Sequence, residues 1–217
     1  MEHFKELEKQ VAKALLSIKA VFLRPNEPFV WASGIKSPIY CDNRLTLSYP
    51  RVREIIENGI AENIEAFYPE CEAVFGTSTA GIPHAAIVSE ILDIPMGYVR
   101  GDSKTHGRNN QIEGIIPTGK KVVVVEDLIS TAGSAIEVVN ALRDVGADVL
   151  GIVSIFTYGM QKGIARLLEE NIKNVSITNF DVLTDVALEE SYITEAEYKL
   201  VKAFQKNPYD ESWQNAR

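Results

Sequence analysis

The sequence predicts an open α/β fold, a central parallel sheet flanked by helices. Strand-like and helix-like stretches alternate across residues 72–179, the pattern of parallel strands joined by right-handed crossovers. Four consecutive valines, Val122, Val123, Val124 and Val125, read as a central strand buried on both faces. Two strands run into small-residue loops, at 76–82 and 130–134, and each loop opens at once into a helical pattern.

Taken in order, residues 2–20 read as an amphipathic helix with Phe4, Leu7, Val11, Leu15 and Ile18 on one stripe. Pro25 and Pro28 end the pattern. Residues 29–32 and 39–42 are short strand-like runs around a turn at 33–38. Ser48 is placed to cap a helix over about 49–67, carrying Val52, Ile55, Ile56, Ile60, Ile64 and Phe67. A strand at 73–76 precedes a helix at 83–92, with Pro83 near its start. Another strand follows at 95–100. Residues 101–118 show no periodicity, and a loop of that length in a compact domain is usually functional or disordered. After the valine strand come a helix at 134–145, a strand at 148–156, a helix at about 161–171 and a strand at 174–179. The tail is expected to hold a short strand and a helix at 194–206. A single domain over 1–217 is expected, with a core at about 49–175. The N-terminal 1–48 and the C-terminal segment should form a smaller hood.

The chemistry concentrates in 122–134. Glu126 and Asp127 follow the valines, then Leu128 and Ile129, then Ser130-Thr131-Ala132-Gly133-Ser134, and the helix. Small residues let backbone N–H groups converge on one anion, and a helix N-terminus adds partial positive charge. Hydroxyls supply further donors. No Gly-Lys-Ser/Thr is present, so this is not a Walker loop. Carboxylates repel phosphate, so their presence implies a ligand with hydroxyls beside its phosphate. A ribose diol donates two hydrogen bonds to such acceptors. The stretch therefore reads as a ribose 5-phosphate site, against the plainer alternative of a βα turn whose acids cap a helix. The loop at 76–83 could face a second anion or be a simple connection. Lys104, His106 and Arg108 alternate in the long loop, and Arg100 precedes it. They form either a local positive patch for a polyanion or a solvated hairpin face.

Bulk properties narrow the class. A net charge of −8 on 217 residues makes nucleic acid an unfavoured partner. With 46% hydrophobic and 24% charged residues the chain reads as an ordinary globular one. No apolar run approaches the roughly 20 residues of a membrane span. The charged N-terminus does not read as a secretory leader. Cys41 and Cys71 lack metal-type spacing and are expected to be free thiols of a reducing, cytoplasmic compartment.

The 122–134 stretch resembles the phosphoribosyl pyrophosphate (PRPP) motif of type I phosphoribosyltransferases: an apolar run, two acids, two apolar residues, and a Thr/Gly/Ser-rich loop. Within that family the chain is most similar to the orotate phosphoribosyltransferases. Trp31-Ala32-Ser33-Gly34-Ile35-Lys36-Ser37-Pro38-Ile39-Tyr40 resembles their N-terminal signature. Arg100, Lys104, His106 and Gly107 resemble their mobile catalytic loop, and Gln111-Ile112-Glu113-Gly114 continues the match. Ala32, Ala80 and Gly101 stand where several relatives carry lysines, and Tyr158-Gly159-Met160 where some place an arginine.

The resemblance implies a type I phosphoribosyltransferase fold and the conversion of orotate and PRPP to orotidine 5′-monophosphate and pyrophosphate. It implies Mg²⁺, held mainly by PRPP and water, and a homodimer with shared active sites. Arg100, Lys104 and His106 would contact the pyrophosphate end. Glu126, Asp127, Leu128, Ile129, Ser130, Thr131, Ala132, Gly133 and Ser134 would hold the ribose 5-phosphate. Lys104, His106 and Asp127 would be the catalytic groups. Ser130 and Lys36 would meet orotate. A phosphoribosyltransferase for another base and a non-enzymatic PRPP-binding regulator are the alternatives.

Overall fold

The computed structural model describes residues 2–31, 34–101 and 111–215. The chain divides into two compact units, one of residues 53–177 and one of residues 1–52 with 178–217.

The larger unit is built on a six-stranded sheet. Its strands are β5 (Ala73–Thr77), β6 (Met96–Val99), β7 (Ile112–Glu113), β8 (Lys121–Ile129), β9 (Asp148–Thr157) and β10 (Asn174–Asn179). The order across the sheet is β10-β9-β8-β5-β6-β7. β5 pairs in parallel with both β6 and β8, and β8 with β9. The short β7 runs antiparallel to β6, within a stretch whose sequence carries no strand periodicity. Two residues are too few to show alternation, and Ile112 is buried there all the same.

The four valines lie at the middle of β8, all at 0% exposure, as a strand covered on both faces requires. Burying each contributes about 1.5–3 kcal/mol. Val122 and Val124 pack in one cluster with Phe75 and Ile152 of the neighbouring strands. Ala135, Val139 and Leu142 of helix α4 (Gly133–Asp144) close that cluster. Val123 and Val125 face the opposite side and are equally buried. Helices α2 (Pro50–Phe67), α3 (Gly81–Leu92) and α5 (Gln161–Glu169) complete this unit. Ser48 does not cap α2: it ends a 3-10 turn at Asn43–Ser48, and Pro50 occupies the first helical position.

In the smaller unit, α1 (Glu2–Ser17) buries Leu7, Val11 and Leu15. It ends where Lys19 turns left-handed (φ 58) and Ala20 N–H reaches the Leu15 carbonyl at 2.9 Å. Two small antiparallel pairs follow, β1 (Val21–Leu23) with β4 (Ile39–Cys41), and, between them in sequence, the hairpin of β2 (Phe29–Val30) with β3 (Lys36–Ser37). The segment after β10 forms no strand. It forms helix α6 (Phe180–Glu189), started by the Asn179 side chain accepting the Val182 N–H at 3.0 Å. Phe180, Leu183, Val186 and Ala187 give it a buried stripe at helical spacing. Helix α7 (Glu195–Lys206) opens with a Thr194–Glu197 capping box.

Candidate active site

β5, β6 and β8 are parallel, so their carboxyl ends share one edge of the sheet. The helices that follow β5 and β8 therefore both present their N-termini at that edge. Gly76 pairs with Val125, which sets Thr77 beside the start of the acidic pair.

Glu126 is 5% exposed, with Oε1 accepting the Asp127 N–H at 2.9 Å. Burial pushes its carboxyl up to about 8, and the hydrogen bond and charge of Asp127 push the same way. The Thr77 hydroxyl and the Asp127 amide oppose the shift without cancelling it. Burial thus favours the protonated form of Glu126, whereas Asp127 lies half-buried at the end of the strand. Two acids adjacent in sequence differ in burial: Glu126 is enclosed, and Asp127 is half-buried.

Ser130, Thr131 and Ala132 make the turn into α4. Ala132 is left-handed (φ 61, ψ 8), and no side chain caps the helix at this residue. The first-turn amides are thereby left for an outside acceptor. Such an αL step before a helix bends successive N–H groups into a concave nest. Ser130 and Thr131 are half-buried, and the Ser134 side chain is exposed. The Ile129 carbonyl accepts the Tyr158 N–H at 3.0 Å, tying the loop's entry to the end of β9.

The second loop differs in its backbone: Ala80 is right-handed (φ −75, ψ −28) where Ala132 is left-handed. Ala80 precedes α3 and gives it no side-chain cap. Ser78 Oγ donates to the Val99 carbonyl at 2.6 Å, joining this loop to the end of β6. Gly81 admits no side chain, because a Cβ there would strike the Val125 carbonyl and lie 2.5 Å from Thr77 Oγ1. The first turn of α3 thus sits directly on β8.

The other expected residues are more dispersed. Arg100, just past β6, is at the same edge, with Nε 3.3 Å from Glu113 Oε1. Lys36, in the smaller unit, pairs with Glu211 at 2.8 Å. Lys104, His106 and Arg108 lie outside the described residues. Among the described residues no group of three His, Cys, Asp or Glu is arranged to hold a metal. No helix there is long and apolar enough to cross a membrane.

A phosphoribosyl transferase domain model matches residues 47–190, two thirds of the chain. An orotate phosphoribosyltransferase of Listeria monocytogenes is 58% identical over 207 residues, covering 95% of this chain and 98% of that protein. The chain belongs to the orotate phosphoribosyltransferase family. The family's Bacillus cereus member is 55% identical, over 95% of this chain and 99% of its own. Among solved structures, the orotate phosphoribosyltransferase of Aeropyrum pernix superposes with a TM-score of 0.73 at 29% identity, covering 85% of this chain and 99% of that one. Leishmania donovani UMP synthase gives 0.79 at 26% identity, over 92% of this chain but 42% of its own longer one.

Two features of this family member went unread in the sequence. Glu57 and His84 form a buried pair between α2 and α3. Arg166 of α5 donates through Nη1 to the Thr131 carbonyl at 3.1 Å. Gly163 and Arg166, spaced three apart and so on one helix face, were the available signal for the second.

Proposed function

We propose that this chain transfers the ribose 5-phosphate of PRPP to orotate, releasing pyrophosphate and forming orotidine 5′-monophosphate, the precursor of UMP. The observation that carries the reading is the end of β8: a half-buried carboxylate followed directly by an uncapped nest of amides. Sugar hydroxyls and a 5′-phosphate, adjacent in one ligand, match that sequence of acceptor and donors. The activity of the 58% identical Listeria monocytogenes enzyme, an orotate phosphoribosyltransferase, supports it.

In this reading the amides and hydroxyls of 130–134 bind the 5′-phosphate, and the Leu128–Ile129 backbone carries the loop. Asp127 accepts from the ribose hydroxyls. Burial and the neighbouring Asp127 favour the protonated form of Glu126, which limits the negative charge set beside a polyanion. The charge of Asp127 also favours the positive, oxocarbenium-like ring formed as the anomeric C–O bond breaks. The 77–80 loop and the α3 N-terminus receive the pyrophosphate end. Arg100, Lys104 and His106 neutralise the departing charge. Ser130 and Lys36 orient orotate.

Asp127, an oxygen donor at the end of β8, would be the protein carboxylate available to Mg²⁺ bound mainly through substrate oxygens and water. When bound it supplies charge neutralisation on the pyrophosphate. A homodimer that shares Lys104 and His106 across subunits, working in the cytoplasm, completes the proposal.

The test is base-dependent pyrophosphate release from PRPP, with and without Mg²⁺, offering orotate, adenine, hypoxanthine or uracil. Release with orotate alone, and only with Mg²⁺, is expected. Turnover of another base, or PRPP binding without release, would overturn it.

A further inference from the structure

Helix α5 touches the phosphate loop at two points. Gly163 lies against the Ser130 carbonyl so closely that an added Cβ would collide with it. One turn later, Arg166 Nη1 donates to the Thr131 carbonyl at 3.1 Å. The guanidinium also lies along the start of α4, where a Cβ on Gly133 would be 3.1 Å from Nη1 and 3.6 Å from Nη2. In a trans peptide the C=O and N–H point in opposite directions. A carbonyl held on the α5 side therefore turns the Ala132 N–H away from α5. Left-handed Ala132 then continues the bend into the first amides of α4. A hydrogen bond from a cation to the carbonyl also polarises the peptide, which strengthens its N–H as a donor.

We propose that Arg166 is a positioning residue for the 5′-phosphate end of the substrate. It acts through the Thr131–Ala132 peptide and touches no reacting atom. The inference rests on the reading of 130–134 as the phosphate loop. It separates the two ends of PRPP: Arg166 contacts the loop after β8, whereas the pyrophosphate loop is tied instead to β6 through Ser78.

The experiment measures ribose 5-phosphate and pyrophosphate binding by calorimetry for wild type, Arg166→Met and Arg166→Lys, alongside steady-state kinetics. Arg166→Met should weaken ribose 5-phosphate about tenfold, the loss of one charge-assisted hydrogen bond. Its pyrophosphate affinity and its kcat at saturating PRPP should stay at the wild-type level while KM for PRPP rises. Arg166→Lys, whose amine still reaches toward a carbonyl, should recover part of the loss, and it serves alone if the Met variant does not fold. Unchanged ribose 5-phosphate affinity in both variants would overturn the inference. So would an equal loss of both ligands, which would mean general damage to the edge. Failure of the wild type itself to bind ribose 5-phosphate would instead overturn the phosphate-loop reading beneath it.

Discussion

His84 Nδ1 and Glu57 Oε1 lie 2.7 Å apart, with both side chains almost wholly removed from solvent. The pair fastens α3, whose first turn borders the crevice, to α2 behind it. Glu57 Oε2 and His84 Nε2 meet no hydrogen-bond partner among the described residues, so each side chain depends on the other. Burial raises the Glu57 carboxyl above its ordinary value against the opposing pull of His84.

His84→Ala should therefore cost about 3–5 kcal/mol in urea unfolding, because it strands a buried carboxyl. Replacing both residues together, Glu57→Leu with His84→Leu, should recover most of that loss. If the double variant were as unstable as the single one, the pair would not be the unit that matters.

Glu126 gives a pH signature. Its folded value of about 8 lies above the ordinary 4.5, so the folded state holds a proton that the unfolded chain releases. The contribution to stability is complete below about 4.5 and is lost as pH rises through about 8. Glu126→Gln, which has the shape of the protonated acid, should remove that slope. Its melting temperature should gain on the wild type between pH 5 and pH 8.5, and parallel curves would refute the assignment.

Asp127→Asn keeps the side chain's size but replaces one of the two oxygens proposed to accept from the ribose hydroxyls. It should lower kcat by about 100-fold with little change in unfolding. Lys104→Ala should likewise lose turnover and keep its fold. If the sites are shared, mixing these two inactive variants should restore about a quarter of wild-type activity, because half the dimers are mixed and each holds one intact site. No recovery after subunit exchange would place both residues in one subunit's site.

Gly81→Ala should cost about 1–3 kcal/mol by urea denaturation, because the new methyl meets backbone and hydroxyl rather than a yielding side chain. Gly101→Ala, where a Cβ meets nothing within 4 Å, is the control and should be near neutral.

Much of the crevice was legible because its signals are local. The run Val122 to Val125 announces a doubly covered strand, and Ser130 to Ser134 a turn into a helix, within one short stretch. Glu57 with His84, and Thr131 with Arg166, are separated by 27 and 35 positions, and only tertiary packing brings them together. Helix α6 was readable in principle from Asn179 and the Phe180–Leu183–Ala187 spacing, but it follows β10 with no intervening turn. The differing stations of Glu126 and Asp127 come from burial, which adjacent letters do not reveal.

Gly81 seats the first turn of α3 on the same strand that carries Asp127. The separation between the N-termini of α3 and α4 is thus set by the pitch of a hydrogen-bonded sheet rather than by flexible side chains. On the proposed reading, that rigid caliper suits one ligand with an anionic group at each end of a sugar ring.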